Sequence, residues 1–243
     1  MTVTVTQTLD GFLNNQLIIG QPKLGFRAGH DSVLLAASVP ISEHGHALEL
    51  GSGAGVASLC LAARVQNCHV TGIEIDPDLV TLASENAVRN AMSSRVKFLA
   101  GDAIEKTFKR HLFDEVFLNP PFNPSEGQRS PYSGRRLAMV DEGNVLGRWT
   151  DRATELVCPG GGITVVMRAD RLAQWREGVS GALSVLELLS REGERPKRII
   201  ARLTPSKPSS YRLAKPFVLQ NPYGKPTDEA EAVLRHSGPL YLE

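Results

Sequence analysis

The stretch ALELGSGAG, residues 47–55, joins a short apolar segment to a turn that contains three glycines. The apolar residues predict a buried β-strand, and the glycines predict a tight turn. The next apolar residues, with Leu59, Ala62 and Ala63 on one side, predict a helix over residues 56–65. Strand, glycine turn and helix form the first unit of nucleotide-binding α/β folds, in which glycine lets a ligand approach the backbone.

The rest of the chain continues this alternation of strands and helices, which is typical of the α/β class. Apolar runs predict further strands at residues 70–75, 96–99, 116–118, 163–167, 185–189, 199–203 and 217–219, and helices at residues 77–90, 149–156 and 172–183. Three successive glycines, residues 160–162, are predicted to turn the chain into the strand that follows them. A length of 243 residues suits one domain. We therefore predict a single domain over residues 1–243, with an N-terminal hairpin and cap segment at 1–45 and an α/β core at 46–243.

The glycine turn does not fit the dinucleotide-binding pattern. That pattern requires glycine or alanine where this chain has Val56 or Ser58. Acidic residues instead end the next two strands: Glu74 is placed to accept hydrogen bonds from two ribose hydroxyls, and Asp102 from an adenine amine. An adenosine-containing ligand without phosphates satisfies these features, and S-adenosylmethionine is the obvious candidate.

The second informative stretch is DEVFLNPPF, residues 114–122. Its apolar run predicts a buried strand that must stop at two successive prolines, because proline has no N–H to donate to a neighbouring strand. Asn119 is thereby held at the carboxyl end of the strand, where ligands bind in open α/β sheets. The Asn119 side-chain oxygen and the Pro120 carbonyl can accept both hydrogens of an –NH₂ group, and Phe122 can stack on the ring that bears it. A plain strand-ending turn is the alternative, but the glycine turn and acidic strand ends favour the pocket.

The N-terminal segment precedes this core. Alternating Val and Thr residues, then an apolar run at 17–19, predict a small β-hairpin in residues 1–20. The glycine-rich, charged residues 21–31 lead into a helix that Asp31 is predicted to cap. This loop is either a simple connector or a cover over a zwitterionic ligand, and on the second interpretation Arg27 and Asp31 bind the cofactor.

Net charge is +1, so any nucleic-acid binding requires a local basic patch. A polar stretch at residues 123–136, beside the proposed pocket, contains several arginines, and further cations lie near the last strands. The predicted substrate-binding residues are Arg129, Arg135, Arg136, Lys197, Arg198, Arg202 and Lys207. The alternative for the stretch at 123–136 is a solvated surface loop.

The composition also bounds the compartment. The sequence after Met1 is polar and Thr-rich without a signal-peptide pattern, and no apolar run is long enough to span a bilayer. The three cysteines form no CxxC pair, and the six histidines form no ligand-spaced cluster. We expect a cytoplasmic protein with reduced thiols, no membrane segment and no metal site.

The chain resembles the class I S-adenosylmethionine-dependent methyltransferases that act on amino groups. Residues 48–55 match that family's cofactor loop, 72–76 its ribose strand and 101–103 its adenine strand. Residues 119–122 match its catalytic motif, with Phe122 where tyrosine is commoner; both rings can stack. The resemblance implies a Rossmann-like fold, with a seven-stranded, mostly parallel sheet flanked by helices.

The resemblance also implies roles for individual residues. The implied catalytic residues are Asn119, Pro120 and Phe122. Together with Arg27 and Asp31, the predicted residues that bind S-adenosylmethionine are Glu49, Gly51, Gly53, Gly55, Glu74, Asp102, Ala103 and Asn119.

Within this class, residues 25–35, 215–219 and 224–234 are most similar to the bacterial tRNA(Val) adenine-N6 methyltransferases. That likeness implies methylation of the adenosine following the anticodon, and a tRNA partner bound by a local basic patch. Release-factor glutamine methyltransferases share the Asn-Pro-Pro motif and are the main alternative. They carry a sizeable helical domain in front of the core, for which the residues before Leu48 leave little room. A binding module that has lost catalysis is a third possibility, which the intact Asn119 disfavours. The oligomeric state stays open.

Overall fold

The computed structural model describes residues 7–25, 27–120 and 145–242. The described strands are β1 (Gln7–Phe12), β2 (Leu17–Pro22), β3 (His46–Leu50), β4 (His69–Glu74), β5 (Val96–Ala100), β6 (Phe113–Leu118), β7 (Val157–Arg168), β8 (Ala182–Arg191), β9 (Arg198–Thr204), β10 (Ser210–Leu213) and β11 (Phe217–Gln220). The described α-helices are α1 (His30–Ala37), α2 (Val56–Arg64), α3 (Pro77–Arg89), α4 (Val145–Leu156), α5 (Leu172–Glu177) and α6 (Asp228–His236). A 3-10 turn, Ala169–Arg171, precedes α5.

Strands β3 to β9 form the predicted seven-stranded sheet, in the order β5-β4-β3-β6-β7-β9-β8. The short strands β10 and β11 both pair with β8 and extend the sheet to nine strands. Among the described strands of this sheet, only β9 runs antiparallel to its neighbours, so the sheet is mostly parallel. The predicted fold class is confirmed.

Two apolar cores cover the two faces of the sheet, because successive side chains of a strand point to opposite faces. Strand β6 shows this alternation: Phe117 belongs to the core under helices α1 to α3, whereas Val116 and Leu118 belong to the core that α4 completes. All three side chains are fully buried. A strand that is apolar on both faces is expected at the centre of a parallel sheet.

Strands β1 and β2 pair antiparallel and form a hairpin at residues 7–22, while residues 1–6 of the predicted hairpin lie outside the described residues. Two asparagines of α3 attach its second strand to the core. Asn86 Oδ1 accepts a hydrogen bond from Gly20 N at 2.7 Å, and Asn86 Nδ2 donates to Gly20 O at 2.9 Å. One helical turn later, Asn90 makes the same pair of bonds with the backbone of Ile18. These side chains, in place of another strand, satisfy the backbone N–H and C=O groups at the edge of β2.

Three local predictions are wrong. Helix α1 begins at His30 after Gly29, which makes no side-chain cap bond, so Asp31 lies in the first turn and does not cap it. Residues 160–162 lie inside β7, where the β6–β7 register shifts; a side chain on Gly161 would collide with the Asp114 carbonyl. Helix α5 ends at Glu177, before Gly178, and residues 182–183 already belong to β8.

Other features concern the whole described chain. Within the described ranges no helix is long and apolar enough to cross a membrane. Nor do these ranges contain a group of three or more potential metal ligands. Cys60, Cys68 and Cys158 are all free thiols.

Candidate active site

The carboxyl ends of β3, β4, β5 and β6 lie side by side and form what we call the carboxyl edge of the sheet. Leu50, the last residue of β3, pairs with Ile73 of β4 and Leu118 of β6. Glu74 at the end of β4 pairs with Ala100 at the end of β5. The four segments that follow these strands are therefore adjacent. The chain order reverses here, between β3 and β6, which is where open α/β sheets bind ligands.

The glycine turn after β3 requires its glycines, because they adopt backbone conformations that other residues avoid. Gly51, Gly53 and Gly55 have φ angles of 70°, 54° and 83°. The Gly51 N–H donates to the Ile73 carbonyl at 2.9 Å, and the Gly53 N–H donates to Glu74 Oε2 at 2.9 Å. The turn is thus bonded to the neighbouring strand β4, and Gly53 has open space where a side chain would stand.

Glu74 lies where the sequence predicted it, against this turn. The residue is 9% exposed, and its carboxylate also accepts a hydrogen bond from the Asp76 N–H at 3.0 Å. Burial raises the pKa of the Glu74 carboxyl above its usual value, although the two backbone donors act in the opposite direction. Each carboxylate oxygen has a further lone pair after accepting one N–H, so Glu74 can still accept hydroxyl groups of a ribose.

Glu49 occupies a different place from the one predicted for a cofactor ligand. Its side chain is 3% exposed and points into the core, where both the N–H and the hydroxyl of Ser58 donate to Oε2. Burial raises the pKa of the Glu49 carboxyl to about 8, and the Ser58 donors and then Glu74 act more weakly on it. Glu49 therefore joins the start of α2 to β3 beneath the turn.

Asp102 and Ala103 follow β5 at the same edge. Asp102 Oδ1 accepts a hydrogen bond from the Ile104 N–H at 2.8 Å, which fixes the carboxylate in a tight turn. Ala103 is buried. Their position, two strands from β3, agrees with the predicted adenine site.

Two aromatic rings shape this edge, and the sequence analysis assigned neither of them. A methyl group built on Gly51 would lie 2.5 Å from Cη2 of Trp149, so the indole covers that glycine. The Phe98 ring of β5 occupies the corresponding space at Gly55 and Gly72. The only sequence signal for Trp149 was its place at the start of a predicted helix, which says nothing of its partner.

Asn119 follows β6 directly and is partly exposed, but its Oδ1 atom is buried and accepts no hydrogen bond from the described residues. Pro120 is buried beside it. A buried acceptor without a donor costs about 1–3 kcal/mol, and an incoming amine would remove that cost. The predicted site residues Phe122, Arg129, Arg135 and Arg136 lie outside the described residues.

The two charged residues of the N-terminal loop are each engaged with protein groups. Arg27 pairs with Asp10 of the hairpin at 2.6 Å. Asp31 pairs with Arg198 at 3.2 Å, at the start of β9. Arg198 pairs in the sheet with Arg168, the last residue of β7, and β7 runs parallel to β6, so Asp31 lies beside the carboxyl edge. Their cofactor-binding roles stay predictions, and only Asp31 is placed at the edge by these contacts.

The predicted substrate-binding cations of the last strands do not form one patch. Lys197 is exposed and lies at the carboxyl edge, whereas Lys207 follows the other end of β9 at the opposite edge. Arg202 lies inside the sheet, 20% exposed, and its Nη2 is 2.5 Å from Oε1 of Glu115. Burial raises the pKa of Glu115 to about 7, and Arg202 counteracts this. Because its guanidinium is committed to Glu115, Arg202 does not fit the predicted role in phosphate binding.

Comparisons with known proteins agree with this geometry. A family model described as the methyltransferase small domain matches residues 28–174, more than half of the chain. The chain belongs to the methyltransferase small domain family. It is 31% identical over 211 residues to the tRNA1(Val) (adenine(37)-N6)-methyltransferase of Porphyromonas gingivalis, covering 81% of this chain and 82% of that protein. The protein of the same name from Mannheimia succiniciproducens is 26% identical over 229 residues, covering 93% of each.

Solved structures show the same fold. A crystal structure of a protein described as a predicted O-methyltransferase from Agrobacterium tumefaciens has a TM-score of 0.73 and 19% identity, covering 87% of this chain and 98% of that one. The structure of TrmN from Thermus thermophilus has a TM-score of 0.53 and 19% identity, covering 71% and 48%.

The predicted class is thus confirmed: the chain is an S-adenosylmethionine-dependent methyltransferase. The residues of the carboxyl edge fit that cofactor. Gly53 offers open backbone, and Glu74 and Asp102 offer carboxylates. The turn has Val56 or Ser58 where a pyrophosphate-binding G-x-G-x-x-G needs glycine or alanine.

Proposed function

We propose that this enzyme methylates the exocyclic N6 amine of an adenosine in tRNA, next to the anticodon of tRNA(Val). The observation that carries the proposal is the buried Asn119 Oδ1, which has no donor among the described residues at the end of β6. The names of the relatives support the nucleotide and the RNA. A cytoplasmic location, where tRNA is found, goes with this substrate.

An adenine amine is a poor nucleophile because its lone pair is delocalised into the ring. Asn119 Oδ1 and the Pro120 carbonyl would accept both of its hydrogens, which favours positive charge on the nitrogen and orients the lone pair for attack. When bound, S-adenosylmethionine supplies a methyl group activated by its sulfonium centre. No strong general base is then needed before the transfer, since the amine proton becomes acidic only afterwards.

The adenine must leave the RNA stack to reach this corner, as enzymes that act on bases generally require. A loop base costs less to extrude than a paired base, which favours an anticodon-type loop. Lys197 and Arg198 at the carboxyl edge are the described members of the predicted phosphate-binding set that lie near the site. The Arg198 side chain is 35% exposed and forms an ion pair with Asp31.

Asn119→Ala tests the mechanism. It should lower turnover by roughly 10²–10³, the effect of removing other preorganised hydrogen-bond partners. Cofactor affinity, measured by calorimetry, should be nearly unchanged, because the glycine turn and Glu74 are intact. Gln66→Ala is the matched control, since it removes an exposed amide before β4, at the opposite edge of the sheet. A variant that methylates at the wild-type rate would remove Asn119 from the mechanism.

The acceptor is tested by incubating wild-type enzyme and labelled cofactor with total tRNA or, separately, with a purified release factor. Label in a methylated adenosine of one tRNA, identified by mass spectrometry of nucleosides, is the expected result. Label that enters only the release factor would replace adenosine by glutamine as the substrate.

A further inference from the structure

Strand β8 extends well beyond the carboxyl edge. Leu118, Val165, Ala201 and Val185 pair successively and mark one level across β6, β7, β9 and β8. Strand β8 continues six residues past this level to Arg191, which at roughly 3.3 Å per residue is about 20 Å. Strand β11 pairs with β8 over this projecting part. The two strands therefore form a shoulder that rises beside the active site.

The turn at residues 221–225, which follows β11 on this shoulder, is internally bonded. Asn221 Oδ1 accepts hydrogen bonds from the N–H groups of Tyr223 at 3.0 Å and Lys225 at 3.1 Å. The backbone of Asn221 donates to Lys225 O at 2.8 Å and accepts from the N–H of Gly224 at 3.0 Å. Gly224 has a φ of 77°, which suits glycine at the tight position. The turn thus has a defined shape that does not depend on its outer side chains.

Tyr223 is the outer side chain of this turn, and it is 88% exposed. An aromatic ring so exposed buries almost no apolar surface and contributes little to folding. No bond of the turn uses the ring, since only the Tyr223 N–H takes part. The stability of the fold therefore does not explain why the Tyr223 ring is exposed.

Two cations lie at this turn. The Arg191 guanidinium lies against Gly224, 3.5 Å from the position that a Cβ there would take. Lys225 is exposed two residues after Tyr223. In the described parts of the chain, neither Arg191 nor Lys225 forms an ion pair with a carboxylate. Acidic residues are exposed on both sides along the chain, Glu192 and Glu194 in the β8–β9 turn and Asp228 and Glu229 at the start of α6, so the two cations belong to the Tyr223 turn itself.

We propose that Tyr223 stacks on an unpaired base of the RNA substrate, while Arg191 and Lys225 contact the phosphates beside it. Aromatic stacking combined with nearby cations is how proteins hold single-stranded nucleic acid. This inference rests on the proposed RNA substrate. It adds a contact with the RNA at a second place, away from the target pocket. An enzyme of net charge +1 needs such local contacts to hold an RNA hairpin.

The stacked base is not the methylated one. Four strand spacings separate β6 from β11 in the sheet, or about 19 Å at roughly 4.8 Å each. Tyr223 consequently contacts a nucleotide several positions from the target adenosine, and it orients the RNA without touching the reacting atoms.

Tyr223→Ala tests this contact, with Tyr223→Phe as the conservative variant. Tyr241→Ala is the matched control: Tyr241 is 69% exposed, but its neighbour Leu240 bonds to Ala37 at the far end of α1 from Asp31. The probe is a fluorescently labelled anticodon stem-loop of tRNA(Val), titrated by anisotropy. Stacking on one base predicts that Tyr223→Ala weakens RNA binding by about 5- to 150-fold.

Tyr223→Phe and Tyr241→Ala should bind RNA within about threefold of wild type, since both keep a ring at position 223. With whole tRNA, Tyr223→Ala should raise KM and leave kcat and cofactor affinity unchanged, because the reacting atoms are not involved. Wild-type affinity in Tyr223→Ala, or an equal loss in Tyr241→Ala, would overturn the inference. RNA binding is measured without turnover, so this outcome is distinct from a failure of tRNA to accept methyl groups.

Discussion

Replacing Glu49 by glutamine should change how the stability of the protein depends on pH. Burial raises the pKa of this carboxyl from 4.5 to about 8, so the folded protein keeps the proton where the unfolded chain has lost it. The stability that this proton contributes is complete below about pH 4.5 and is lost as the pH rises through 8. Each pH unit inside this window is worth about 1.4 kcal/mol, so wild type should lose about 2 kcal/mol from this group between pH 6 and 8.

Glutamine has the same shape and cannot ionise, and its carbonyl can still accept the hydrogen bonds of Ser58. The difference in unfolding free energy between Glu49→Gln and wild type should therefore shift by about 2 kcal/mol in favour of the variant between pH 6 and 8. Urea denaturation followed by circular dichroism at several pH values measures this difference. Glu43→Gln, at an exposed site before β3, controls for the change in net charge. A difference that stays constant with pH would refute a protonated, buried Glu49.

Four further predictions separate roles that the structure assigns. Gly51→Ala should reduce stability and cofactor affinity more than Gly53→Ala, because both glycines have positive φ but the Trp149 indole covers only Gly51. Denaturation measures the stability, and calorimetry measures the cofactor affinity. Arg202→Met should cost about 3–5 kcal/mol of stability by unpairing a buried carboxylate without altering the salt dependence of RNA binding. Lys197→Ala should do the opposite, lowering that slope by about one unit in RNA titrations. Asn86→Ala should cost about 1–3 kcal/mol and speed hydrogen exchange in β2, where unchanged exchange would contradict its role as the hairpin's attachment.

The sequence predicted the position of the active site because that position depends on neighbouring residues. Three glycines in residues 51–55 and the paired prolines after Asn119 restrict the backbone locally, whatever surrounds them. Apolar runs of the right length then place both segments at the carboxyl ends of buried strands. Parallel strands bring such ends together, so Glu74 and Asp102 could also be placed from the order of the elements.

Local errors arose where a residue's conformation depended on its neighbour in space. Residues 160–162 looked like a turn, since three glycines usually break a strand. In the sheet they continue β7, because they pack closely against the backbone near Asp114. Asp31 looked like a helix cap, but its carboxylate instead meets Arg198, which is 167 residues away in the chain.

The roles of the charged side chains were decided only by the tertiary structure. Lys197 and Lys207 are ten residues apart, and the antiparallel direction of β9 places them at opposite edges of the sheet. Arg202 crosses β7 to meet Glu115, and Glu49 turns inward to Ser58. A charged residue's effect depends on its burial and its partner, and both are set by chain segments far away in sequence. Backbone chemistry is local, and so the sequence determined where the site lies; charge pairing is not local, and so only the fold determined which ions face the substrate.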